Sequence, residues 1–544
     1  TPQLHLVKNP GGARRQLTFY ADRISGARFQ RKQGDYLIFS KDTGGNEFNQ
    51  LYRLDLTPGA SGEAVLLTDG KSRNTGGEFS HAGDRIAYNS TRRNGRDTDF
   101  YVMDPRDPKS DKLLAQVGGG GWDVVDWSPD DKTILVEERL SINESYLWLL
   151  DVASGKLTPL TPRGGADPLA APAKVKDDDK ISYARAQFTA DGKGVYVTTD
   201  KDAEFHRLAL MDLATKKLDF LAPSIKWDVE DIDLSSDGRT LALMANEDGV
   251  GVLYLFDTRA RKLSKPKLPA GSVGSLRWHE DAHTLGFGLV TARSPSDAYS
   301  LDTRTGKVDR WTESESAVAT ADLPEPQLVK WKSFDGREIS GFYYKPPARF
   351  TGPRPVIVNI HGGPEAQYRP GYLGRNNYFL TELGVAMIFP NVRGSAGYGK
   401  SFLKLDNAEK REDSVKDIGA LLDYIKQQPE LDAGRVMITG GSYGGYMTLA
   451  SSVHFSDRIA CSLDVVGISN FVTFLERTEA YRRDLRRVEY GDERDPKMRE
   501  FLTRIAPLSR VQDIKKPLFV VQGKNDPRVP YTEAEQIVAK ARGN

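Results

Sequence analysis

The sequence predicts two architectures in series, an N-terminal seven-bladed β-propeller and a C-terminal parallel α/β domain. Three observations predict them. The chain has 544 residues, too long for one ordinary domain. An apolar strand ending in Asp recurs along the first 315 residues. After Pro324-Glu325-Pro326 that recurrence stops, and apolar strands alternate with helical patterns.

Composition narrows the function classes. Lys and Arg number 76 against 75 Asp and Glu, a net charge of +1. No field steers the chain to nucleic acid or an anionic membrane. Hydrophobic residues are 39% and charged residues 28%, as in soluble globular proteins. No apolar run of about 18 residues is present, so no transmembrane helix is expected. The single Cys461 excludes an internal disulfide framework and a Cys-based zinc cluster. It leaves periplasm and cytoplasm equally open. The chain starts at Thr1 with no basic-then-apolar leader, so the numbering is read as beginning inside a processed or trimmed chain.

The recurring strand ends at Asp55, Asp104, Asp151, Asp212, Asp257 and Asp302, at steps of 49, 47, 61, 45 and 45 residues. About twenty residues before each lies a turn followed by an apolar run, such as Gly83-Asp84-Arg85-Ile86-Ala87. This period in the middle forties is that of a propeller blade. Six units are full. Residues 2–18 read as the back half of a seventh, so the first blade is incomplete. The 61-residue step holds Asp177-Asp178-Asp179-Lys180, read as a solvated loop.

Three features of this half invite chemistry. His279-Glu280-Asp281-Ala282-His283 matches a zinc-protease pattern, but that pattern needs a helix, and here it fills a hairpin-turn slot. Gly118 to Gly121 is read as a flexible connection, because no Lys-Ser/Thr follows it. Glu137 and Glu138 would hold a substrate's free amino terminus if they faced the central cavity; the plainer reading is a solvated pair at a strand end.

In the last third, strands are predicted at 356–360, 385–389, 436–439, 463–466 and 518–521, with a helix over 414–427. Three motifs follow strand ends, where open α/β sheets bind ligands. Gly440-Gly441-Ser442-Tyr443-Gly444 is a G-x-S-x-G elbow between a strand and a helix, and it makes Ser442 the candidate nucleophile. His361-Gly362-Gly363-Pro364 lets glycine backbone N–H groups approach a substrate oxygen, where with the N–H of Tyr443 they would form an oxyanion hole. Asp526 in Gly523-Lys524-Asn525-Asp526-Pro527-Arg528 follows the serine in chain order, as the acid of an α/β-hydrolase does. His361 precedes the serine and is read as structural.

A propeller followed by these motifs resembles the prolyl oligopeptidase family of serine peptidases. His-Gly-Gly-Pro, Asn391-Val392-Arg393-Gly394-Ser395 and Asn525-Asp526-Pro527-Arg528-Val529-Pro530 resemble its acylaminoacyl-peptidase and dipeptidyl-peptidase branch. The resemblance implies Ser442 as nucleophile, Asp526 as orienting acid, and the N–H groups of Gly363 and Tyr443 as oxyanion donors. It implies Arg528 in the interdomain cavity, holding substrate carbonyls or a propeller carboxylate. His361 stands where the prolyl-endopeptidase branch carries Tyr, which argues against that branch. Short peptides are the expected substrates. No metal, cofactor, nucleic acid or membrane partner is expected, and a homo-oligomer is left open.

One departure stands out. The family order is Ser, Asp, His, and none of His5, His81, His206, His279, His283, His361 and His454 follows Asp526. The expected division is therefore a propeller over 1–318 and a hydrolase domain over 319–544 lacking its last strand–helix unit. The chain as it stands is expected to be inactive and to expose 518–521 as an apolar edge. Two other functions are weighed. A carboxylic-ester hydrolase would use the same elbow but has no need of a propeller filter. A propeller binding module with an inactive hydrolase domain has no chemical need of the intact elbow.

Overall fold

The computed structural model describes residues 1–57, 59, 62–316, 319–321 and 323–543. The expected boundary at residue 318 lies outside the described residues. Six four-stranded antiparallel sheets form the first part, the first from Ile24–Phe29 to Ala64–Leu66 and the sixth from Ser272–Trp278 to Val308–Arg310. The expectation of seven blades meets six complete ones. Residues 2–18 contribute a two-stranded ribbon, His5–Leu6 paired with Arg15–Gln16.

The sequence repeat has a local cause. Asp151, Asp212, Asp257 and Asp302 each accept backbone N–H groups two or three residues on, so each ends a strand in an Asx turn. Neighbouring blades cover both faces of a sheet, and inner strands such as Gly194–Thr199 are buried throughout. Trp122, Trp127 and Trp148 fill the space between the second and third blades at 1% exposure or less.

One loop reading needs correction. Gly118 to Gly121 is a point of close approach, not a flexible link. A Cβ on Gly120 would lie 1.8 Å from the Tyr481 carbonyl oxygen, and one on Gly121 2.0 Å from that of Arg139. Only glycine fits at either position, because backbone occupies the side-chain space, from the second domain at Gly120 and from the propeller itself at Gly121. The acidic loop at 177–180 also docks. Lys400 and Lys404 reach the carbonyls of Lys180 and Asp177, while Asp177, Asp178 and Asp179 stay exposed, as expected of a solvated loop. The His279–His283 segment is a hairpin turn, with both imidazoles against Asp281.

The second part is one seven-stranded sheet: β1 (Gln327–Lys332), β2 (Glu338–Tyr344), β3 (Arg354–Ile360), β4 (Ala386–Asn391), β5 (Leu431–Gly441), β6 (Cys461–Val465) and β7 (Leu518–Val521). Their order is β1-β2-β4-β3-β5-β6-β7, with β1, β2 and β4 antiparallel neighbours and the rest parallel. The helices that matter here are α1 (Arg411–Gln427), α2 (Tyr443–His454), α3 (Phe471–Arg477) and α4 (Ala480–Tyr490). Central strands are apolar on both faces because helices cover both. The β7 edge leaves Phe519 67% and Val521 42% exposed. Among the described residues no helix is long and apolar enough to cross a membrane.

Candidate active site

Ser442 stands between the end of β5 and the start of α2, at φ 59° and ψ −119°. A non-glycine residue there carries roughly 1–3 kcal/mol of strain, held by the surrounding bonds. Its N–H donates to the Val465 carbonyl at 3.0 Å, and its carbonyl accepts from the N–H groups of Gly445 and Tyr446. The flanking glycines are steric requirements. A Cβ on Gly440 would meet the Gly444 oxygen at 2.5 Å, and one on Gly444 the Ile360 oxygen at 2.1 Å. Tyr443 opens α2, so its N–H has no intrahelical acceptor and sits at the positive end of the helix dipole.

The loop after β3 runs beside the elbow, where a Cβ on Gly362 would lie 3.3 Å from Ser442 Cβ. Gly363 has φ +122°. Its carbonyl accepts from Arg486 Nη1 and from the Tyr490 hydroxyl, both at 3.2 Å, so α4 fixes the orientation of this peptide.

His361 is buried. Its Nδ1 faces the Gly362 carbonyl and its Nε2 faces Ser395 Oγ, each at 2.8 Å. Burial lowers its pKa to about 4, so the ring is neutral near pH 7 with both nitrogens engaged. His454 closes α2 and pairs with Glu412 at 3.1 Å, roughly 17 Å along the helix from Tyr443. No histidine hydrogen-bonds Ser442 or Asp526 among the described residues.

Asp526 lies on the loop after β7. Its Oδ1 accepts the N–H groups of Arg528 (2.8 Å) and Val529 (3.0 Å). Two bonds carry this loop to the propeller: Arg528 Nε to Glu47 Oε2 at 2.6 Å, and Asn525 Nδ2 to the Gly44 carbonyl at 3.0 Å.

Sequence reasoning missed the buried polar layer beneath the elbow. Arg411 is fully buried, donates to Asp406 at 2.6 Å and to the Glu489 carbonyl at 3.0 Å, and lies over the Tyr443 and Tyr490 rings. The Tyr443 hydroxyl contacts Ser414 and Asp406. Asp464 on β6 is 1% exposed, with no side-chain partner; burial raises its pKa to about 7.

Residues 372–544 match the prolyl oligopeptidase family. They form a prolyl oligopeptidase family domain. The whole chain is 27% identical over 560 residues to dipeptidyl aminopeptidase BIII of Pseudoxanthomonas mexicana, covering 97% of this chain and 76% of that protein. It is 30% identical over 267 residues to dipeptidyl peptidase family member 6 of Caenorhabditis elegans, covering 48% and 35%. The chain thus spans about three quarters of the first relative's length and about a third of the second's. The structure of a Mycobacterium tuberculosis puromycin-hydrolyzing peptidase superposes with a TM-score of 0.80 at 19% identity, covering 99% of this chain and 85% of that one. That last likeness is one of fold.

Facing this prolyl oligopeptidase family domain, the propeller does not offer Glu137 and Glu138 as a matched pair. Both are buried, at 7% and 2% exposure, inside the strand Thr133–Ser141 and not at its end. Successive strand residues point to opposite faces. Glu138 is taken by Arg163 at 2.5 and 2.7 Å and by Trp148 Nε1 at 3.1 Å. Glu137 pairs with Arg139 at 3.2 and 3.1 Å. The solvated-pair reading fails for both, and the anchor reading fails for Glu138, because Arg163 already occupies its carboxylate.

Proposed function

We propose that the chain is a serine peptidase of short peptides, of dipeptidyl- or acylaminoacyl-peptidase type. Ser442 is the nucleophile in this reading. Its hydroxyl oxygen attacks the peptide carbonyl, and the N–H groups of Gly363 and Tyr443 stabilise the resulting oxyanion. Asp526 is the orienting acid, and Arg528 bridges to the propeller or to a substrate carbonyl. The observation that carries the reading is Ser442 at positive φ between β5 and α2, with Gly362 packed against it. The names of the relatives favour the dipeptidyl branch. Among the described residues none of the seven histidines hydrogen-bonds Ser442, so this reading leaves the general base unassigned. Without it the serine stays protonated and is a poor nucleophile.

In the same reading the propeller limits entry to short peptides. The 5–16 ribbon is taken as the rear of a seventh blade: Leu4 and Leu17 pack on the first blade's core, and Arg14 lies 3.5 Å from Glu315, beyond the sixth.

The test is Ser442→Ala in the active protein. Fluorophosphonate labelling and peptide turnover should both vanish, a loss on the order of 10⁴- to 10⁶-fold. Labelling that survives would place the nucleophile elsewhere. An ester reporter cleaved without any cleavage of peptides would favour the ester-hydrolase reading.

A further inference from the structure

The buried arginines of the hydrolase domain come with acceptors. Arg411 has Asp406, Arg393 has Asp417 and Asp335, and Arg486 has Glu489 and Glu365. Arg482 differs. Its side chain has no ion pair and no hydrogen bond among the described residues, and its Nε is buried without a partner. It lies on α4 one turn before Arg486, hence on the same face, and Arg486 holds the Gly363 carbonyl. The groups that act on it most strongly are the cations Arg486 and Arg528 and the Tyr481 and Tyr490 hydroxyls. Burial and these cations lower its pKa to about 10, so it remains charged at neutral pH. Arg482 is half-buried, a desolvated Nε without an acceptor is costly, and the planar guanidinium fork matches a carboxylate.

The position is equally telling. Arg486 leads to the oxyanion loop, and Arg528 belongs to the loop of Asp526. Tyr481, next to Arg482, packs on Gly120 of the propeller and beneath the Arg73 guanidinium, 4.3 Å from the ring centre. Arg482 therefore sits where the candidate catalytic loops and the propeller converge.

We propose that Arg482 is a specificity-determining residue that binds a carboxylate of the peptide substrate. The inference rests on the peptidase reading above. The carboxylate belongs either to an Asp or Glu side chain beside the cleaved bond or to the free C-terminus of a short peptide. Both sources present the same planar anion.

The experiment measures binding to the Ser442→Ala chain by calorimetry, so it does not depend on turnover. One arm compares Ala-Glu-p-nitroanilide with Ala-Gln-p-nitroanilide. The other compares Ala-Ala-Ala with its C-terminal amide. In one arm the carboxylate-bearing peptide should bind roughly tenfold or more tightly. That ratio should fall below about twofold in Ser442→Ala/Arg482→Gln and be partly kept in Ser442→Ala/Arg482→Lys. Thermal unfolding confirms that each variant is folded, and the ratio in the Arg482 protein decides even if a variant is not. Equal binding within both arms, or a ratio that Arg482→Gln leaves unchanged, overturns the inference alone. Absence of binding by every peptide overturns it together with the peptidase reading.

Discussion

Arg528 Nε lies 2.6 Å from Glu47 Oε2, so the loop carrying Asp526 is tied to the first blade. The pair is partly exposed, 56% at Arg528 and 20% at Glu47, which limits it to about 0–1 kcal/mol. Glu47→Gln should lower the urea unfolding free energy by less than about 1 kcal/mol. It should also speed amide exchange across residues 523–529. A global loss above about 2 kcal/mol, or unchanged exchange, would mean that the bond does not act locally.

The Glu138–Arg163 pair lies at the other extreme, with both side chains at 3% exposure or less. Removing one partner of such a pair strands the other charge and costs about 3–5 kcal/mol. Glu138→Ala should show that loss in denaturant unfolding. Glu138→Leu/Arg163→Met should recover most of it, because an apolar pair of similar volume has no stranded charge. If Glu138→Ala is neutral, the pair is solvated after all.

His361 sets a pH dependence with a definite sign. Its folded pKa of about 4 lies below its ordinary value, so the unfolded chain binds the proton more tightly. Stability from this residue is fully present above pH ~6.5 and is lost as pH falls toward 4. The effect is about 3 kcal/mol in order of magnitude. His361→Gln should flatten the stability curve between pH 6.5 and 4. An unchanged slope would show that the ring is not buried neutral.

Asp464 acts in the opposite direction. Its folded pKa of about 7 lies above the ordinary carboxylate value, so the folded state binds the proton more tightly. Its penalty is absent below pH ~3.8 and grows as pH rises to 7. Asp464→Asn, which stays neutral, should stabilise the chain by a few kcal/mol at pH 8 and by little at pH 4. The same gain at both values would mean that charge is not its cause.

Local sequence carried the features that depend on local geometry. The elbow at Ser442 was legible because its glycines are demanded by contacts within a few residues and by the adjacent β3. The blades were legible because each Asx turn closes on its own Asp. What escaped depends on partners distant in sequence. Glu138 meets Arg163 twenty-five residues on, and nothing near Glu138 announces that bond. Arg411 and Asp406 carry no local signal of burial, because the groups that close over them, Tyr443 and Glu489, lie far along the chain. The glycine run at 118–121 looked flexible because its constraint, the backbone of Tyr481, belongs to another domain. Helix α4 was missed because its sequence is dominated by charge, and one of those charges, Asp484, meets Arg96 of the propeller.

Gly120 has a mechanical consequence. The Tyr481 carbonyl occupies the volume that any side chain at residue 120 would need, so the two domains touch there with no clearance. Approach of the two domains at this point ends at backbone against backbone. Even one methyl group at residue 120 would act as a shim, wedging the start of α4 away from the propeller.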